Sequence, residues 1–112
     1  MINTLVLVGK VLEAPEIRTT AKGNTVAHLL IEADRMFRNE DGSLSSDIFD
    51  VTLWKGIAEE CASVCRPGSI VGIKGRLQST TNEHNGRQFH NVDIIAEKVT
   101  FLSERMQALE KL

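Results

Sequence analysis

A chain of 112 residues, 42% hydrophobic and 25% charged, is long enough for one cored domain and too short for two. Its formal net charge of -2 and pI of about 5.9 argue against a generally basic, non-specific nucleic-acid binder and leave room only for a local basic stripe. No apolar run approaches the ~20 residues of a membrane span, and no basic segment with a long apolar stretch and cleavage site opens the chain, so a cytoplasmic protein is expected.

In chain order, INTLVLVGK (residues 2–10) is β-rich and apolar on both alternations, with Leu5 and Leu7 on one side and Val6 and Val8 on the other. A small barrel offers one interior, so the second face is expected to meet another subunit, which makes Leu5, Val6, Leu7 and Val8 the candidate oligomer interface. Cover by a later part of the same chain is the alternative. Pro15, Gly23 and Asn24 then mark a connection. A second strand is expected from Thr25 to Arg35, with Ala27, Leu29, Ile31 and Ala33 facing the core.

NEDGSLSSD reads as a polar turn centred on Asp41 and Gly42. The third strand, IFDVTLWKG, sends Phe49, Val51 and Leu53 inward. Ile48, Asp50, Thr52 and Trp54 then fall on a mixed, partly wet face, where the single tryptophan is out of place unless it meets something. GIAEECASVC has helical spacing, with Ile57, Cys61, Val64 and Cys65 on one face, ended by Pro67 and Gly68. Cys61 and Cys65 are four apart, not a CxxC pair, and His28, His84 and His90 are scattered, so neither a metal site nor a cofactor is expected.

The fourth strand, SIVGIKGRLQ, points Val71, Ile73 and Leu77 inward and Lys74 and Arg76 outward. Asn85 and Gly86 form a turn, and QFHNVDIIAEKVTFL returns as the fifth strand with a bulge or bend near Glu97. Ser103 reads as the N-cap of a short terminal helix whose apolar stripe is Met106 and Leu109. The order predicts an all-β fold: a five-stranded OB-type barrel over residues 1–102 with one helix between strands 3 and 4, and a short C-terminal helical extension over 103–112. Such barrels bind oligonucleotides on an exposed strand face, which suits Trp54 beside outward Lys74 and Arg76. There are no paired carboxylates, no nucleophile beside a base and no glycine-rich phosphate loop, so no enzyme is expected.

The blocks MINTLVLVGK, APEIRTTAKGNTVAHLLIEADRMFRNEDG, VTLWKGIAEECASVCRPGSIVGIKGRLQ and AEKVTFL, in this order and spacing, resemble the bacterial single-stranded DNA-binding proteins over residues 1–102. The resemblance implies an OB fold, a homotetramer, and sequence-tolerant binding of single-stranded DNA in replication, recombination or repair, without catalysis. Bases stack on aromatics and Lys and Arg neutralise phosphates. Carried over by position, Phe37 and Trp54 fall where the family has stacking aromatics, and Arg18, Arg38, Lys55, Lys74 and Arg76 lie in or beside its DNA-contact segments. Arg35 belongs to the same motif with a less defined role.

Departures from the family pattern carry their own expectations. Ile48 replaces a stacking aromatic, and Thr81 or Asn82 stands where the hairpin after GRLQ usually bears another. His90 occupies a position often held by Tyr. At ~1 to 3 kcal/mol per stack, two losses amount to roughly 2 to 6 kcal/mol, so binding weaker and more electrostatic than is usual in the family is expected. The sequence given ends at Leu112 without the linker and acidic tip by which the family's main replication member recruits repair enzymes, which leaves two expectations: an accessory or mobile-element member that binds without tail-mediated recruitment, or a chain trimmed of its tail. The competing reading is an OB-type protein-interaction module of a replication assembly. Bland readings also stand beside the sharp ones: Trp54 as a packed rim residue, Lys74 and Arg76 as a solvated strand face, His90 as an ordinary outward histidine.

Overall fold

The computed structural model describes residues 1–104. The described residues form six strands, β1 (Leu5–Val11), β2 (Arg18–Thr19), β3 (Thr25–Arg38), β4 (Leu44–Trp54), β5 (Ile70–His84) and β6 (Arg87–Phe101), with a helix, α1 (Lys55–Val64), between β4 and β5 in the chain. They lie in the order β1-β5-β6-β4-β3-β2, and β1 also pairs with β3, which closes the five long strands into the expected OB-type barrel. All ladders are antiparallel except β4 with β6. The short β2, which adds to the outside of β3, has only two residues and so no periodicity to read in the sequence.

The core follows the alternation. Ala27, Leu29 and Ile31 from β3, Val51 and Leu53 from β4, and Val71 and Ile73 from β5 are buried together with Val11. Phe49 packs against this cluster, as its inward position predicts. α1 covers one end of the barrel by burying Ala58 and Cys61 against β3 and β6, with Cys65 buried just past its last turn. Cys61 is held as a thiol by its hydrogen bond to Cys65 and by burial, which leaves it inert packing. The helix stops where Cys65 turns to extended backbone ahead of Pro67, and Gly68, at φ 93, gives its N–H to the Val11 carbonyl.

Several expectations are corrected. Two hairpins run well past the barrel: β3 continues to Arg38 and β4 begins at Leu44, inside the stretch read as a turn. Only Asn39 to Ser43 form that turn, with Asp41 accepting hydrogen bonds from the Ser43 N–H and hydroxyl. β5 runs to His84, so Leu77, expected in the core, lies beyond it and is 47% exposed. The β5–β6 ribbon closes on Asn85 and Gly86, both at positive φ, as a two-residue primed turn requires. A bulge does fall at Glu97: Lys74 pairs with Lys98 and Gly75 with Ala96, leaving Glu97 unmatched. Ser103 accepts the Ile70 N–H through its hydroxyl and lies within helical backbone at 102–104, not at an N-cap. The rest of the expected terminal helix, with Met106 and Leu109, lies outside the described residues.

Candidate nucleic-acid interface

Strand register decides which candidate residues share a surface. Cross-strand partners project to the same side of a sheet, so rows of partners can be read across the barrel. Arg18 pairs with Val26, and Val26 with Trp54, which forms one outward row over β2, β3 and β4. The adjacent row runs from His28 to Thr52, Ile95 and Arg76 over β3, β4, β6 and β5. Farther along β4 come Asp50 and then Ile48, which is 61% exposed and paired with Glu32. Arg18, Trp54, Arg76 and Ile48 therefore lie on one continuous outer face.

Trp54 stands at a junction as well as on a face. It is the last residue of β4 and the N-cap of α1, 38% exposed, and its side chain caps nothing. Lys55 follows at φ 53, a left-handed conformation that turns the strand into the helix. The first turn of α1 holds no acidic residue, so the positive end of the helix dipole and Lys55 both sit beside the indole without internal neutralisation. The junction thus joins a partly free aromatic ring to positive potential.

Phe37 is 83% exposed near the end of the β3–β4 hairpin, where an irregularity between Asp34 and Arg38 breaks the alternation. Met36 beside it is 92% exposed. The nearby arginines are less free than their positions suggest. Arg35 makes a two-pronged pair with Asp47, at 2.8 Å from Nη2 and 3.1 Å from Nε, which holds the Asp47 carboxyl below its ordinary range and raises the guanidinium. Arg38 donates to the Gly42 carbonyl and braces the turn. Arg18 has only a loose, exposed contact with Glu16 at 3.9 Å.

On β5, Arg76 donates to the Gln78 side chain, while exposed Lys74 lies across from Lys98, a basic neighbour that the sequence reading passed over. Among the described residues neither lysine forms an ion pair. Two like charges placed opposite each other repel unless an anion comes between them. The outer face also carries acid. The Asp50 carboxylate accepts a hydrogen bond from the His28 Nδ1–H at 2.9 Å, and a groove beside them is lined by Glu13, Glu16 and Arg18.

The structure does not bring His90 to this face. It pairs with Thr81, which it contacts at 3.0 Å through Nδ1, and the unbroken register places both on the opposite side of the β5–β6 ribbon from Arg76. Phe89, one residue earlier, falls on the Arg76 side and is 47% exposed. The sequence reading missed it, because it sought the ribbon's aromatic on β5. On β1, Leu7 packs against the core and Leu5 is half-buried, so of the four interface candidates only Val6 and Val8, at 71% and 57% exposure, present a free apolar surface.

Comparison with known proteins places this geometry in context. The model of the single-strand binding protein family matches residues 2–102. Single-stranded DNA-binding protein B of Bacillus subtilis is 34% identical over 106 residues, covering 94% of both chains. The single-stranded DNA-binding protein of Halalkalibacterium halodurans is 35% identical over 94% of this chain, which spans 63% of that longer relative. The crystal structure of wild-type single-stranded DNA binding protein from Thermus aquaticus superposes with a TM-score of 0.75 at 24% identity, covering 88% of this chain and 49% of that one, a likeness of fold.

Proposed function

Since this chain belongs to the single-strand binding protein family, we propose that it is a sequence-tolerant single-stranded DNA-binding protein that coats and protects exposed strand during replication, recombination or repair. The observation that carries the reading is the pair of outward rows, Arg18–Val26–Trp54 and His28–Thr52–Ile95–Arg76, on one sheet face. An aromatic ring offers any base a stacking surface, and cations at the flanks hold the backbone without reading sequence. Lys55, Lys74 and Arg18 are assigned to phosphates because among the described residues Lys55 and Lys74 form no ion pair and Arg18 makes only the 3.9 Å exposed contact with Glu16. Phe37 and Ile48 extend the apolar contact, and Arg35 and Arg38 shape the hairpin that presents Phe37. The mode is binding without catalysis.

The same reading assigns Val6 and Val8 to contact with a second copy, in a homo-oligomer of the tetrameric kind. Two exposed β-branched residues on a strand hydrogen-bonded along its other edges offer an apolar face and little else.

Titration of Trp54 fluorescence with dT oligomers of increasing length, at low and high salt, tests the proposal. Strong quenching that saturates on long oligomers is expected, with log K falling against log salt at ~0.7 per phosphate contacted. A folded oligomer that shows no quenching and no mobility shift at low salt would instead favour a protein-interaction module.

A further inference from the structure

We propose that Phe89 is a base-stacking residue and that the bound strand leaves the barrel along the side of the β5–β6 ribbon that carries it; the proposal rests on the single-stranded DNA reading above. Arg76 pairs with Ile95, Gln78 with Asp93, Thr80 with Asn91 and Asn82 with Phe89, with no register shift between them. These residues therefore form one side of the ribbon, continuous with the barrel face that holds Thr52 and Trp54. Phe89 is 47% exposed three rows beyond Arg76, at about 20 Å from Ile95 along an extended strand.

The surroundings of the ring select the occupant. On its side of the ribbon Phe89 is the one phenyl ring, with His84 and Arg87 in the row beyond it and Asn82, Thr80, Asn91, Gln78 and Asp93 behind it, where the Thr80 hydroxyl donates to the single carboxylate, Asp93. A protein interface needs a contiguous apolar centre, whereas a nucleobase needs one ring to stack on and polar groups at its edges. The other side of the ribbon exposes two aliphatic side chains, Leu77 at 47% and Val92 at 66%, among Ser79, Thr81, Glu83, Gln88 and His90, and offers no ring of carbon to stack on. Where the family's hairpin aromatic is missing from β5, β6 supplies a ring directly across from Asn82. The nucleic acid takes the side that holds the phenyl ring and is continuous with Arg76.

Affinity for oligo-dT of about 30 nucleotides, roughly two OB-fold site sizes, tests this in the full 112-residue chain. Phe89→Ala is expected to weaken binding about tenfold, in line with the loss of one stack, while His90→Ala stays within about twofold. Because both side chains are exposed on the ribbon, the variants leave the core untouched, and circular dichroism checks this. In a Trp54→Phe background, Phe89→Trp should report dT by its own quenching. Unchanged affinity in Phe89→Ala together with an unquenched tryptophan at that position overturns the proposal, as does a loss in His90→Ala equal to or larger than that in Phe89→Ala. Failure of the wild-type chain to bind dT would instead overturn the parent reading, and the unquenched signal of Trp54 separates that case from the others.

Discussion

Asp50 opposes the surface it stands on. It occupies the outward side of β4 between Trp54 and Ile48, with an exposed side chain paired to His28. A carboxylate there repels an approaching phosphodiester, while the apolar groups on either side attract the base. Replacing Asp50 by Asn keeps the shape and removes the charge. The expected result is low-salt affinity for oligo-dT about two- to fivefold tighter, a gain that fades as salt screens the interaction. Parallel titrations at two ionic strengths measure it. Arg35 gives the converse lesson. Its place in the DNA-contact motif left its role undefined, and Asp47, twelve residues away in sequence, takes both prongs of the guanidinium. Such a pairing is invisible until the register of β3 and β4 is known.

At the scale of elements, the bulge at Glu97 sets how the ribbon meets the barrel. Gly75, opposite Ala96, is needed because a Cβ at that position would run into the Ile95 carbonyl. Gly75→Ala must therefore push β5 away from β6 where both leave the core. A cost of about 1 to 3 kcal/mol is expected, read as a lower urea midpoint with an unchanged slope. The elements themselves were legible to different degrees. The inward positions of β3 and β4 were plain from alternation, since Leu29, Ile31, Val51 and Leu53 leave no other register with a core. The start of β4 at Leu44 was not, because Ser45 and Ser46 line a hairpin outside the barrel, where nothing requires an apolar face. Leu77 misled for the same reason: its position continues an inward series after the interior has ended. Phe89 is not legible because the hairpin aromatic is expected on β5, and only the pairing of Asn82 with Phe89 shows that β6 supplies a ring at that row.

For the whole molecule, the apolar outer face of β1 has the largest consequence. Val6 lies opposite Lys74, so the proposed subunit contact borders directly on the proposed phosphate contacts. Assembly would thus place the positive edges of neighbouring copies close together and lengthen the track open to one strand. Val6→Glu is expected to shift the assembly toward smaller species in light scattering while each barrel stays folded, because the side chain is already 71% exposed in the single chain. Affinity for long dT should then fall more than affinity for short dT, as linked sites lose their shared strand.

The closure of the barrel has a dynamic side. Long ladders join β3 to β4 and β5 to β6, but the ring is completed on one flank by only two residue pairs, Lys10 with Glu32 and Val11 with Ile31, and between β4 and β6 by Val51 with Ile94 and Thr52 with Ile95. Local opening starts where the fewest backbone hydrogen bonds must break together. The molecule is in this sense two stiff hairpins hinged at narrow seams. One of those hinges contains Thr52 and Ile95, midway between Trp54 and Arg76, so a strand laid across that face would also act as a clasp that holds the barrel shut.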